Sequence, residues 1–208
     1  MHRSRKPAPP RLKGGATKKA KHSEESFIMQ YRCCHNKPHP IQLAPNITVY
    51  AGSLMSGVLE SREVASFDYL VALTHIRDAG LLSAYEDYLW EGIAYHDSSK
   101  SLWDTFKGFI LYTPIRDLDV LPFDVYYTQL NAIKRLLDKK KKVLIFCDGG
   151  HGRTGYILSG LAALYRVNNP VGYIRKKYCE LAVETHAQEQ HVQRLGEYLS
   201  EAHRIKGS

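Results

Sequence analysis

Residues 143–155 read VLIFCDGGHGRTG, and this stretch decides the fold. Its first four residues form a continuous apolar run, which is typical of a strand that is covered on both faces. A glycine-rich loop follows, and after it come apolar residues at helical spacing, namely Ile157, Leu161 and Leu164. The stretch therefore predicts a buried strand, a tight loop and a helix over 153–166.

The rest of the chain from Pro45 alternates short apolar runs with helical patterns. Strands are predicted over 47–50, 67–73, 108–112 and 143–146. The further helical patterns are a face formed by Tyr126, Leu130, Ile133 and Leu137, a start at Asn169-Pro170, and a last face formed by Val192, Leu195, Leu199 and Ala202. This alternation predicts an α/β fold with a central, mainly parallel sheet of four to five strands flanked by helices.

The composition divides the 208 residues into two parts. The chain is 44% hydrophobic and 24% charged, which is enough to bury a sizeable core. Its net charge is +8, and residues 1–23 hold eight Lys and Arg and no acid. Because this stretch has almost nothing apolar to bury, we predict a disordered basic tail over 1–25. We expect one folded domain over 26–208, with its core at about 45–200.

The cysteines and the N-terminal sequence predict a location. The four cysteines are Cys33, Cys34, Cys147 and Cys179. Two of them are adjacent, which makes a poor disulfide framework and indicates a reducing compartment. No apolar stretch precedes Phe27, and no window of 18 apolar residues occurs, so we expect neither a secretory signal nor a membrane span. A cytoplasmic protein is expected, and the tail also fits a nuclear address.

The loop after the buried strand has the properties of an anion site. Its glycines, Gly149, Gly150 and Gly152, allow successive backbone N–H groups to converge on one point. The helix that follows directs its positive end to the same point, and Arg153 offers a planar fork for two oxygens. The loop therefore predicts a phosphate-binding site between a strand and a helix.

Cys147 stands at the mouth of this loop. The surrounding N–H groups and the helix dipole favour a thiolate, and such settings lower a cysteine pKa to about 3.5 to 7.5. This predicts a nucleophile aimed at a bound phosphate. A second interpretation stays open, in which the turn binds an anion passively and Cys147 is a buried core thiol.

Cys147, the five residues after it, and Arg153-Thr154-Gly155 resemble the signature loop of the protein tyrosine phosphatase superfamily. The resemblance extends from about Pro45 to about Tyr198 and is closest to the compact dual-specificity branch. It implies a phosphatase in which Cys147 attacks phosphorus and forms a phosphocysteine, with no metal or organic cofactor. The residues that it implies for substrate binding are Asp148, Gly149, Gly150, His151, Gly152, Arg153 and Thr154.

The resemblance also implies a general acid on a loop that follows an earlier strand. Asp117 fits the pattern of the dual-specificity branch, in which a Pro, a hydrophobic residue and a variable residue precede the Asp, and Asp119 is the alternative. Thr154 matches the hydroxyl that hydrogen-bonds the leaving thiolate. Gln188 matches the polar residue that positions water, although a solvated residue at a helix start is an equally good interpretation.

Three residues of the loop depart from the usual pattern or need separate treatment. Phe146 stands where the family usually has His, so one bracing hydrogen bond is absent, which raises the pKa of Cys147 or loosens the loop. Asp148 adds a carboxylate beside the nucleophile unless its side chain points away. His151 either faces the site as an imidazolium, which would attract highly anionic substrates, or lies on the loop surface.

Other signals are weaker. Cys33, Cys34, His35 and His39 are metal-ligand types, but their spacing is not that of a zinc site, and we predict no metal. One of the adjacent cysteines is an alternative disulfide partner for Cys147. The basic tail predicts weak electrostatic contact with nucleic acid or acidic surfaces.

The sequence therefore predicts a cysteine-dependent phosphatase that acts on proteins phosphorylated on tyrosine, serine or threonine. Two alternatives share the fold: an RNA 5′-phosphatase and an inositol-phosphate phosphatase. A third alternative is a non-catalytic phosphate-binding module.

Overall fold

The computed structural model describes residues 36–74 and 106–206, which form a five-stranded sheet with four helices. The strands are β1 (His39–Ala44), β2 (Ile47–Ser53), β3 (Tyr69–Ala72), β4 (Phe109–Tyr112) and β5 (Val143–Cys147). The helices are α1 (Phe123–Asp138), α2 (Gly152–Leu164), α3 (Pro170–Lys177) and α4 (His186–Lys206). Two short 3-10 helices lie at Val58–Glu60 and Arg62–Ser66.

The strand order is β1-β2-β5-β3-β4. β1 and β2 pair antiparallel, whereas β2, β5, β3 and β4 pair in parallel. The predicted mainly parallel sheet is therefore confirmed. β5 lies between β2 and β3, so the carboxyl ends of these three strands meet at one edge of the sheet.

The two faces of β5 enter two different apolar clusters. Ile145 packs with residues of the helices, whereas Leu144 and Phe146 pack with the 3-10 helices and the side of β3 that faces them. All five residues of β5 are buried, as its continuous apolar sequence predicts.

β1 is an addition that the sequence analysis did not predict, because the strand pattern was recognised only from Pro45. Its only buried apolar side chains are Ile41 and Leu43, and Pro40 interrupts the signal. The strand is positioned by its partner, with Ile41 opposite Val49, and the register shifts between Gln42 and Ala44.

The helices begin close to the predicted positions. α2 starts one residue before the predicted 153 and ends at Leu164, two residues before the predicted end. It is buried along nearly its whole length, which explains why its apolar residues do not form a single narrow face. α3 starts at Pro170, and the Asn169 side chain accepts the Gly172 N–H at 3.1 Å.

A matched pair of helical glycines tests this packing. A Cβ at Gly160 in α2 would lie 2.6 Å from Leu130 Cδ1 and also against the Tyr126 hydroxyl, whereas a Cβ at Gly196 in α4 meets nothing within 4 Å. We expect Gly160→Ala to lower the free energy of unfolding by about 2 kcal/mol. Gly196→Ala should raise it by up to about 1 kcal/mol, since alanine favours the helix. Urea unfolding measures both, and equal effects at the two positions would contradict the packing.

Within the described residues, no helix is both long enough and apolar enough to cross a bilayer.

Candidate active site

The loop between β5 and α2 lies at the carboxyl edge of the sheet and is held there by the end of β2. Met55 N–H donates to the Asp148 carbonyl at 3.0 Å, and the Ser53 hydroxyl donates to the same carbonyl at 2.7 Å. Gly150 has φ 76°, which an L side chain rarely adopts. The loop conformation therefore depends on glycine and on the neighbouring strand.

α2 also approaches the segment before α4 very closely. A Cβ at Gly155 would lie 2.7 Å from both the Ala182 Cβ and the Val183 N. Glycine at this position therefore lets the segment that carries Glu184 lie against the start of α2.

Cys147 lies at the base of the loop, with only 2% of its surface exposed. Its Sγ accepts hydrogen bonds from the Thr154 hydroxyl at 3.1 Å and the Gly150 N–H at 3.2 Å. These are two of the donors that a thiolate at this position would need.

The Arg153 guanidinium is held by three acceptors. Its Nη1 donates to the Ile115 carbonyl at 3.3 Å. Its Nη2 lies 2.8 Å from Asp148 Oδ2 and 3.1 Å from Asp117 Oδ1. The side chain is only 8% exposed, and its orientation is fixed by Ile115 and Asp117 on one side and by Asp148 of its own loop on the other.

Burial raises the pKa of the Cys147 thiol above its usual value, and the Thr154 hydroxyl, the Arg153 charge and the Gly150 N–H only partly oppose this effect. The predicted lowering of the Cys147 pKa is therefore wrong for this conformation. The main physical reason is that burial of the sulfur disfavours the charged thiolate. Arg153 does lower the pKa, but its positive charge also pairs with the carboxylates of Asp117 and Asp148. Asp148 does not point away from the site, because its Oδ2 lies 2.8 Å from Arg153 Nη2 and the residue lines the cavity. The same Oδ2 accepts the Thr74 hydroxyl at 2.7 Å.

A substitution of Asp148 tests this electrostatic balance. Asp148→Asn removes one negative charge from Arg153, so the guanidinium stabilises the thiolate more strongly and the pKa of Cys147 falls. The thiol should then react with iodoacetamide at a lower pH than in the parent protein. Asp138→Asn is the control, because Asp138 ends α1 near the opposite end of β5. If the pH at which the thiol reacts at half its maximal rate is unchanged or higher in Asp148→Asn, this account is contradicted.

The structure separates the two candidate acids. The Asp117 carboxylate is 71% exposed and lies against Arg153. The Asp119 carboxylate instead accepts the N–H of Val120 at 2.8 Å. Between them, Leu118 has φ 61°, and this turn directs the two carboxylates to different places.

Gln188 is fully buried and does not reach the cavity at Cys147. Its Oε1 accepts the Glu184 N–H at 3.0 Å, and its Nε2 donates to the Asp119 carbonyl at 3.3 Å. Gln188 therefore joins the backbone at Asp119 to the segment before α4. Its burial shows that the interpretation as a solvated residue is wrong.

Glu184 is a residue of the site that the sequence analysis missed. It accepts the Gly152 N–H, and it lines the same cavity as Cys147. Partial burial and the nearby Asp117 charge raise the pKa of the Glu184 carboxyl, against the Gly152 N–H and Arg153. Val183, just before it, has φ 64°, which is rare for a β-branched residue, so no local sequence signal indicates where Glu184 lies.

His151 is a buried residue that lines the cavity. Its side chain is buried, and Nδ1 lies 3.1 Å from the Sγ of Cys179. Burial lowers the pKa of His151. The interpretation of His151 as a surface residue is therefore wrong, and the lowered pKa disfavours the imidazolium that the other interpretation requires. Cys179 is also buried.

The remaining candidates concern metal ligands. Cys33, Cys34 and His35 lie outside the described residues, and so does the basic tail. The Nε2 of His39 lies 3.0 Å from the Lys177 carbonyl. Among residues 36–74 and 106–206, no three His, Cys, Asp or Glu side chains are grouped so as to hold a metal ion.

The elements described above enclose an open cavity of about 420 Å³. Cys147 and Arg153 line it together with Asp117, Asp148 and Glu184, and Met55 and Leu118 add apolar surface. The arrangement combines a buried thiol, a guanidinium, the backbone amides of a glycine-rich loop and an exposed carboxyl group. Chemically, it can hold an oxyanion next to a sulfur nucleophile with a proton donor nearby.

Comparison with other sequences gives two partial relatives. No family model matches the chain. Two uncharacterized proteins of Methanocaldococcus jannaschii are 43% and 42% identical to it over 82 residues, which make up 39% of this chain. These residues correspond to 52% and 56% of the two proteins, so the chain matches about half the length of each relative.

Comparison with solved structures identifies the fold. Tk-PTP in its active form is 23% identical and has a TM-score of 0.56, with 77% of this chain and 97% of that chain covered. Kinase associated phosphatase is 13% identical and has a TM-score of 0.58, with 79% of this chain and 97% of that chain covered. Human DUSP28 is 12% identical and has a TM-score of 0.52, with 81% of this chain and 99% of that chain covered.

Proposed function

We propose, on the premise that this chain has the fold of the protein tyrosine and dual-specificity phosphatases, that it is a cysteine-dependent phosphatase. The observation that carries the proposal is the position of Cys147 at the base of a cavity, with Arg153 beside it and two hydrogen-bond donors on its sulfur. We assign the activity to residues 26–208, and we assign only weak electrostatic contacts to the basic tail over 1–25.

The proposed reaction has two steps. The Cys147 thiolate attacks phosphorus and the ester P–O bond breaks, while Asp117 gives its proton to the leaving oxygen. Arg153 and the amides of 148–153 hold the phosphoryl oxygens. Water then attacks the phosphocysteine, Asp117 takes a proton from that water, and the Cys147 thiolate leaves with a hydrogen bond from Thr154. Phosphate is released and the enzyme returns to its starting state.

The mouth of the cavity supports a phosphorylated side chain as the substrate. Met55 and Leu118 line the cavity and are 73% and 57% exposed, so they offer apolar surface to the stem or ring next to a phosphate group. We therefore propose phosphotyrosine, phosphoserine or phosphothreonine proteins as substrates.

Trapping of the intermediate tests the proposed function. The parent protein is mixed with ³²P-labelled phosphotyrosine peptide in the presence of a chelator and quenched within milliseconds. We expect radioactivity bound to the protein through an S–P bond, and steady release of phosphate from para-nitrophenyl phosphate. Release without any trapped phosphoryl group at any quench time would favour a mechanism without a phosphocysteine.

Asp117 and Asp119 form a matched pair for the acid. We expect Asp117→Asn to lower kcat on a phosphotyrosine peptide by about 100-fold, because the leaving oxygen loses its proton donor. The loss should be smaller on aryl phosphates whose phenol is a better leaving group. Asp119→Asn should have a much smaller effect, since its carboxylate bonds Val120 N–H. A larger loss in Asp119→Asn would reverse the assignment.

A second candidate function is a phosphate-binding module without turnover. Two observations favour it: Arg153 is already paired with two carboxylates, and burial raises the pKa of Cys147. A module of this kind would bind phosphopeptide in calorimetry but release no phosphate between pH 5 and 8. Phosphate release by the parent protein excludes it.

A further inference from the structure

The charge on the walls of the cavity is unusual for a site that binds a phosphate dianion. Three carboxylates line it, those of Asp117, Asp148 and Glu184. Arg153 is the one Lys or Arg among its described lining residues. Even with Asp117 protonated, as the first step of the proposed reaction requires, the carboxylates of Asp148 and Glu184 outnumber the one guanidinium before a phosphate enters.

The positions of these carboxylates decide what they do to a ligand. Asp148 and Asp117 lie on Arg153 at 2.8 Å and 3.1 Å, so they already compensate its charge. Glu184 accepts the N–H of Gly152, which belongs to the proposed phosphate loop. Asp117 is 71% exposed and Asp148 is 36% exposed, and Glu184 is also exposed, so all three can meet a substrate from the open side.

We infer that the site selects phosphate groups that are carried next to positive charge, such as phosphorylated side chains flanked by Lys or Arg. The inference deepens the proposed function and rests on it. A cation beside the phosphate would pair with Glu184 or Asp148 and leave Arg153 free for the phosphoryl oxygens. The occupant that fits is a basic phosphopeptide segment.

The same charges act against substrates with many phosphate groups. An inositol polyphosphate or a 5′-triphosphate RNA would place additional negative charge near the three carboxylates, and like charges in a partly desolvated cavity repel. His151 also lines the cavity, but it offsets little of this repulsion, because burial beside Cys179 lowers the pKa of its ring and disfavours the charged form.

The experiment compares kcat/KM on two phosphotyrosine peptides of equal length, one flanked by lysines and one by glutamates. At low ionic strength, we expect the lysine-flanked peptide to be hydrolysed about tenfold more efficiently by the full chain. The ratio should approach one at high salt, since exposed charges are screened. An equal or reversed ratio at low salt would overturn the inference, as would faster hydrolysis of an inositol polyphosphate or a triphosphate RNA.

Two variants locate the effect in the cavity. We expect Glu184→Gln, which keeps an oxygen for the Gly152 N–H, to lower the peptide ratio about threefold. Glu201→Gln is the matched control on α4 and should keep the ratio of the parent protein. Because the basic tail is the same in both variants, a ratio change in Glu184→Gln alone reports on the cavity. An equal change in both variants would overturn the assignment to Glu184.

Para-nitrophenyl phosphate separates this inference from the proposed function. Its hydrolysis requires the cysteine chemistry but no flanking charge. If this ester is hydrolysed but kcat/KM is the same for the two peptides, the inferred selectivity is wrong and the proposed phosphatase function stands. If the folded parent releases no phosphate from it, the proposed function fails, and the inference that rests on it is overturned as well.

Discussion

Cys147→Ser is expected to lower phosphate release from para-nitrophenyl phosphate by roughly 10⁵-fold, which amounts to complete loss in most assays. A serine hydroxyl fits the same space and accepts the same hydrogen bonds from Thr154 and Gly150. The serine hydroxyl is nevertheless not ionised at neutral pH. In the part of the chain that the structure describes, the contacts of the Cys147 sulfur are with donors, and none is with a base that could take the hydroxyl proton. The chemistry is lost although the loop is preserved.

The control for this result is Cys179→Ser, which changes the other buried cysteine of the described residues. Cys179 contacts His151 and not the cavity, so its variant should keep most of the activity of the parent. Vanadate binding by Cys147→Ser, measured by calorimetry, checks that the loop is intact. Retained turnover in a folded Cys147→Ser variant would rule out cysteine as the nucleophile.

Arg153→Lys should lower kcat/KM by about 1,000-fold even though it keeps the positive charge. In the parent protein, the planar guanidinium uses Nη1 on the Ile115 carbonyl and Nη2 on two carboxylates. An ammonium group cannot hold two phosphoryl oxygens with two parallel N–H groups, so the transition state loses its clamp.

The matched control for Arg153→Lys is Arg194→Lys on α4. Arg194 lies over the Phe123 ring and does not line the cavity. It should change kcat/KM little, while urea unfolding of both variants checks that each is folded. If the two variants lost activity equally, Arg153 would have no special part in binding the phosphoryl group.

The strand, loop and helix around Cys147 could be predicted because their signals are local. Gly149, Gly150 and Gly152 stand between an apolar run and a helical pattern, and the structure confirms that order of elements. β1 could not be found in the same way, because its position depends on pairing with β2 more than on its own residues.

The electrostatics of the site could not be predicted from the sequence, because they depend on side-chain directions. The sequence shows Asp148 beside Cys147 but not that it lies on Arg153, and it shows Glu184 only as one charge in a polar segment. The pKa of Cys147 follows from these contacts and from burial, so the sequence-based prediction had the wrong direction. The different contacts of Asp117 and Asp119 also depend on the turn at Leu118, which places Asp117 on Arg153 and Asp119 on the Val120 N–H.

The place of β5 in the sheet has a consequence for how the protein folds. β5 pairs Cys147 with Ser53 on one side and Val143 with Tyr69 on the other, so the centre of the sheet closes two long loops of chain. Contacts so distant along the chain make folding slow. During synthesis, β2 and β3 leave the ribosome long before β5, which pairs with both of them. Until β5 is available, the backbone groups that it will pair with have no partner strand. The strand that ends in Cys147, the proposed nucleophile, is thus also the one whose insertion completes the sheet.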